Sequence, residues 1–174
     1  MTVYYSLDPA AKIDAIKEAC ASAKAGGYEY ICVPQWFVST AAETLADSEV
    51  GVATILSLPG GTTSSKSKYA EAKWAIVNGA DLLIFPVNME LCAKGEFDKA
   101  KSDLDSALVA CKTANGRRRG VKPAALIDGG ELDPDGIGKA VAFCAKAGVA
   151  PIFIAHREDA VEALKKNYEA VQAF

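Results

Sequence analysis

Short apolar runs alternate along the chain with longer, alanine-rich stretches whose apolar residues recur at helical spacing. The first kind has the length of buried strands and the second the period of helices laid on a sheet. A weak strand near Val3 to Tyr5 leads into a helix predicted over Pro9 to Lys24, where Ile13, Ile16 and Cys20 share a face and Gly26-Gly27 ends it. Further strands are predicted over Glu29 to Val33, Gly51 to Leu58, Asp81 to Val87, Lys122 to Ile127 and Pro151 to Ala155. Helices are predicted over Lys66 to Asn78, about Phe97 to Thr113 and about Glu158 to Val171, the last with Val161, Leu164 and Tyr168 on one face. Such alternation makes about six parallel βα units, about two short of the eight that close a barrel. Periodicity alone leaves two architectures open, an incomplete TIM-barrel-like α/β fold and a doubly wound open sheet. Either has an edge to cover, because an unpaired edge strand presents free N–H and C=O groups. The expected solution is cover by the terminal helix, by a second copy of the chain in a homo-oligomer or by another partner, or closure as an unusual smaller barrel.

Composition narrows the class. The chain has 174 residues, 51% of them apolar, enough for a sizeable core in one domain spanning 1–174, and no linker or low-complexity segment divides it. No apolar run reaches the ~18 residues of a membrane span, and the N-terminal residues lack signal-peptide character. A cytoplasmic protein with no membrane partner is expected. Five cysteines, Cys20, Cys32, Cys92, Cys111 and Cys144, are an odd number without C-x-x-C spacing, so they read as small core residues in a reducing compartment. No metal site and no cofactor is expected from this pattern. A net charge of −3 offers nucleic acid no global attraction. The local exception, Arg117-Arg118-Arg119, reads as a solvated loop on the face away from any chemistry.

A set of fragments keeps order and spacing over much of the chain: Ile31-Cys32-Val33 with Pro34, Phe37 and Val38; Ala53-Thr54-Ile55 with Pro59 and Gly61; Glu71-Ala72 with Ala75 and Gly79-Ala80-Asp81; Asn88 and Gly95; Asp128-Gly129-Gly130-Glu131-Leu132; and Ala147-Gly148. Together they resemble the deoxyribose-phosphate aldolase family, class I lyases that split a sugar phosphate through a lysine Schiff base. The resemblance implies the barrel-like arrangement. It also implies an aspartate on the fourth strand and the Schiff-base lysine on the sixth. Here those positions hold Ile84 and, according to register, Phe153 or Ala155. The acidic residue near the family's first strand is also missing from Val3-Tyr4-Tyr5-Ser6, and the family's second lysine and phosphate loops belong to strands seven and eight, beyond the six predicted.

An imine-forming amine needs a depressed pKa and a proton shuttle in reach, and apolar residues at both positions supply neither. The expectation is therefore a binding or assembly protein without the family's retro-aldol activity. Two alternatives stand beside it: an aldolase acting on deoxyribose 5-phosphate or a related sugar phosphate through a relocated residue, and a repurposed small-molecule enzyme. Chemistry in this fold gathers on the loops after strand C-termini. There, His156 and Asp128 are the candidate acid–base pair. Asn88, Ser57, Thr62, Thr63 and Arg157 are candidate contacts for a small phosphorylated metabolite. Gly60-Gly61-Thr62-Thr63-Ser64-Ser65-Lys66 has the chemistry of an anion cradle but lacks the Walker spacing, and a helix cap explains it as well. Trp36 and Phe37 are expected to cover a helix rather than line a pocket mouth, Trp74 to lie at a core position, and Tyr168 and Phe174 to shield the sheet edge or contact a second subunit.

Overall fold

The computed structural model describes residues 1–58, 60–113 and 120–174. Pro59, Asn115-Gly116 and the arginine triplet Arg117 to Arg119 lie outside the described residues. Seven parallel strands make one sheet in sequence order: β1 (Val3–Tyr5), β2 (Tyr30–Cys32), β3 (Gly51–Ile55), β4 (Leu82–Pro86), β5 (Lys122–Asp128), β6 (Ile152–Ala155) and β7 (Val171–Ala173). The helices are α1 (Ile13–Ala25), α2 (Val38–Thr44), α3 (Ser65–Val77), α4 (Met89–Ala93), α5 (Phe97–Thr113), α6 (Pro134–Lys146) and α7 (Glu158–Lys165). The sheet curls into an incomplete TIM-barrel-like α/β fold with helices outside.

Local chemistry sets the helix starts. The Ser64 hydroxyl accepts from the Ser67 amide at 3.2 Å to open α3, and the Asp133 carboxylate accepts from Gly136 at 2.7 Å ahead of Pro134 in α6. One predicted element changes identity. Helix α7 stops at Lys165, short of its predicted end near Val171, and Val171 opens β7 instead. The open edge of β6 supplies the reason: the Ile152 amide donates to the Ala170 carbonyl at 2.9 Å and the Phe174 amide to the Ile154 carbonyl at 3.1 Å. Three ladder residues outweigh helical periodicity because the edge groups of β6 would otherwise lack protein partners. The described residues thus form seven strands where about six were predicted.

Alternation along each strand divides the core into two layers. The outer layer, between sheet and helices, holds Ile31, Val52, Leu83, Phe85, Ala125, Ile127, Ile152, Ile154 and Val171 with the apolar faces of the helices. The inner layer is a smaller cluster of Tyr30, Cys32, Ala53, Ile55, Leu82, Ile84, Ala124 and Phe153, with Val3, Leu7 and Leu126 at its margin. Burial raises the Cys32 thiol to about 12, and burial with the adjacent Cys32 raises Tyr5 to about 12. No ladder pairs β1 with β7 among the described residues, but Phe174 links the two ends of the sheet, 4.9 Å from Tyr5 and 6.2 Å from Phe153 between ring centroids. Phe174 therefore shields the edge as expected, and Tyr168 packs half-buried on the outer layer. Trp74 departs from expectation, lying 40% exposed on α3, and Trp36 is 78% exposed while its neighbour Phe37 packs on the outer layer. No helix among the described residues is long and apolar enough to cross a membrane.

Candidate functional site

The strand C-termini carry two separate polar groups. Beyond β1, β2 and β3 lies a cavity of about 310 Å³ whose apolar walls include Leu7, Val33, Pro34, Ile55 and Leu58. Its polar lining is Gln35, Ser57 and Glu71. Ser57 follows β3 with φ +58, a left-handed conformation unusual for a residue with a side chain. Glu71 of α3 holds it there: the Ser57 amide donates to Oε2 at 2.7 Å and the hydroxyl to the same oxygen at 3.3 Å. Gln35 Nε2 donates to the Glu71 carbonyl at 3.5 Å, closing the wall. Sequence reasoning placed Ser57 here and missed Glu71 as a site residue. Glu71 entered only as part of a matched fragment, and nothing in a linear sequence shows a helix carboxylate reaching the turn before that helix.

The second group lies beyond β4, β5 and β6. Asn88 caps α4, its side-chain oxygen accepting from Leu91 at 3.2 Å. The Asp128 carboxylate accepts from Gly130 at 3.0 Å in the turn after β5. His156 is exposed, with φ +60 directly after β6. Asp128 and His156 are brought to adjacent strand ends, Asp128 in register with Ala155, yet no hydrogen bond joins them among the described residues. Arg157 is committed to partners within the protein. Its Nε and Nη2 each lie 2.8 Å from the Asp159 carboxylate, and Nη1 lies 3.5 Å from the Leu132 carbonyl. This fork draws the Asp159 carboxyl down to about 2, chiefly by hydrogen bonding. Gly129 makes room for it, because a Cβ there would fall 2.6 Å from Arg157 Cγ.

The glycine- and hydroxyl-rich loop before α3 is braced from below. Lys68, 2% exposed, donates from Nζ to the Gly61 carbonyl at 2.6 Å and forms an ion pair with Asp103 of α5. Ser65 Oγ adds a bond to Asp103 at 3.1 Å. Gly61 cannot be replaced, since φ is +68 and a Cβ would collide with the Pro86 carbonyl. Thr62 is exposed at the loop surface, while Thr63 Oγ1 is buried and finds no hydrogen-bond partner among the described residues. Lys68 and the Ser65 hydroxyl are thus spent on fastening the loop to α5, and among the described residues exposed Lys66 is the cationic side chain beside its tip.

A larger cavity, about 640 Å³, opens at the other end of the barrel among Glu29, Tyr30, Asp81 and Lys122. Size does not make it the better candidate, because in this architecture the strand N-terminal end serves stability. Asp81 illustrates this: its carboxylate accepts from the Val52 amide at 2.9 Å and its own amide donates to the Val52 carbonyl at 2.7 Å, tying β3 to β4. Lys122 sits over the Tyr30 ring, 5.9 Å from its centroid.

No protein-family profile matches the chain. It is 33% identical over 142 residues to deoxyribose-phosphate aldolase 1 of Staphylococcus aureus, covering 82% of this chain and 61% of that protein. It is also 33% identical over 100 residues to the deoxyribose-phosphate aldolase of Carboxydothermus hydrogenoformans, covering 58% of this chain and 44% of the relative. The chain belongs to the deoxyribose-phosphate aldolase family. Solved structures agree in fold: a putative deoxyribose-phosphate aldolase from Coccidioides immitis superposes with TM-score 0.78 at 24% identity, over 88% of this chain and 58% of that one. An aldolase designated QR15 superposes with TM-score 0.83 at 20% identity, over 97% and 77% of the two chains.

Deoxyribose-phosphate aldolase residues, carried over by position, land on the inner layer. Ile84 pairs with Ile55 and Ala124 across the sheet, and Phe153 with Leu126 and Gln172. Ile84 and Phe153 are at most 1% exposed and belong to one apolar cluster. Ala155, the other register for the lysine, is next along the same face. The inward position on β7 beside Phe153 is Gln172, again without an amine. The strand residues around this layer include one lysine, Lys122, at the opposite end of the barrel.

Proposed function

We propose that this family member retains the aldolase scaffold without Schiff-base retro-aldol chemistry and acts as a binding or assembly protein. The observation that carries the reading is the packing of Ile84 and Phe153 into a closed apolar cluster where the family's reaction needs an aspartate and an amine. A buried amine with a neighbouring shuttle is what lowers the barrier to imine formation, and an isoleucine–phenylalanine pair replaces it with dispersion and desolvation. Lys68 is buried but does not rescue the chemistry. It lies between α3 and α5, committed to Asp103 and the Gly61 carbonyl.

Ligand binding on this reading falls to the cavity beside β3. A phosphorylated metabolite on the β6 side would have to compete with Asp159 for Arg157. Assembly falls to the edges β1 and β7, where unpaired backbone groups favour association with a second copy. A related solved protein, the deoxyribose phosphate aldolase of Aeropyrum pernix, is described as a tetramer. Five free thiols fit a reducing, cytoplasmic setting.

The test is to incubate the protein with deoxyribose 5-phosphate and follow the sugar phosphate by phosphorus NMR, with a catalytic family member run in parallel. The expected result is an unchanged substrate spectrum where the catalytic member consumes it. Cleavage that survives removal of trace contaminants would reject the reading.

A further inference from the structure

The cavity beside β3 contains an acid without a counter-charge. Gln35, Ser57 and Glu71 are its polar lining, and none of the described side chains that line it is cationic. Glu71 Oε2 takes both hydrogen bonds from Ser57, and Oε1 has no hydrogen-bond or ion-pair partner among the described residues. The Gln35 amide nitrogen is already donating to the Glu71 carbonyl, which leaves its side-chain oxygen as a second acceptor. The remaining surface, from Leu7, Val33, Ile55 and Leu58, is apolar. An anion entering this space would meet a carboxylate inside low-dielectric walls, where like charges repel strongly. A ligand with an apolar body and an ammonium head would fill the walls and meet two oxygen acceptors, one of them charged.

We propose that this cavity is a binding site for a small primary amine with a short aliphatic body, oriented by Glu71 and Gln35. The proposal rests on the binding reading above and assigns its ligand class. It differs from the chemistry of a sugar phosphate, which would bring its charge of the opposite sign.

A series matched in shape tests it: n-butylamine, n-butanol and butyrate, titrated into the ¹⁵N-labelled protein at neutral pH. The expected result is saturable shifts of the Ser57 backbone amide and the Gln35 side-chain amide with butylamine. Butanol should bind at least about tenfold more weakly, since a hydrogen bond to a charged group exceeds a neutral one. Butyrate should leave both signals in place. The Glu71→Gln variant, which keeps an acceptor for the Ser57 amide, should bind butylamine no better than butanol. Equal binding of amine and alcohol by the parent protein, preferential binding of butyrate, or shifts confined to other residues would overturn the proposal. Should Glu71→Gln fail to fold by circular dichroism, the parent series and its salt dependence decide, because only charge-driven binding weakens as salt rises. The two readings fail separately: sugar-phosphate cleavage would reject the loss of aldolase chemistry and leave amine selectivity standing, whereas an unselective cavity would do the reverse.

Discussion

The outer and inner faces of the same sheet have diverged to different degrees from the family's pattern. Outside, the family's fragments explain contacts one by one: Ala72 and Ala75 bring α3 close to the strands, Asp81 staples β3 to β4, and Gly61 lets the next loop lie on β4. Inside, on the function proposed above, the positions that would perform chemistry hold Ile84 and Phe153, which pack in the inner cluster. The difference follows from what each face must do. Helix-on-sheet packing is required by any version of the barrel, while an inward aspartate or lysine is an electrostatic cost unless a reaction uses it.

The largest test of this contrast restores an amine inside. Phe153→Lys should destabilise the protein by about 3–5 kcal/mol, since it buries an unpaired charge and removes an aromatic ring. Urea unfolding checks it; a loss below about 1 kcal/mol would mean the inner layer still accommodates the lysine, as a working site would. On the outside, Lys68→Ala should cost about 3 kcal/mol by stranding Asp103 and the Gly61 carbonyl, while a paired Lys68→Met, Asp103→Leu replacement should recover most of it. A full loss in the paired variant would show that the ion pair does more than fasten the loop. At the rim, Asn88→Ala should cost about 1 kcal/mol through the lost α4 cap, by the same unfolding assay.

The smallest effect is one of pH. Asp159 titrates at about 2 beside Arg157, below its unfolded-state value, so its contribution to stability is present above the ordinary carboxylate range and fades as pH falls towards 2. NMR titration of the Asp159 carboxyl should show this depressed midpoint, and Arg157→Ala should raise it towards the ordinary carboxylate range, short of a full return because backbone hydrogen bonds also lower it. An unchanged midpoint in the variant would contradict the Arg157 fork as its cause.

The sequence reading located strands β1 to β6 within a residue or two at most ends, because each is a short apolar run flanked by Gly, Pro or polar turns. The β3 run was read through to Leu58, where the structure turns at Ser57. Apolarity continued past the ladder, and only the Glu71 contact shows where the strand stops. Strand β7 goes unpredicted, the helix predicted over about Glu158 to Val171 meeting it only at Val171, since Val171-Gln172-Ala173 carries little strand signal and is recruited by the edge of β6. At the site, Ser57 was legible from its place after a strand, and Asn88 and Asp128 were legible as polar residues but not as caps. Glu71 required three dimensions. Trp74 was misplaced because its neighbour Ala75 is the residue that faces the core.

The most direct test of lost Schiff-base chemistry is borohydride reduction in the presence of deoxyribose 5-phosphate, followed by intact-chain mass spectrometry with a catalytic family member as control. The account predicts an unmodified mass for this chain and a reduced adduct on the control. A stoichiometric adduct here, mapped to any lysine, would contradict it.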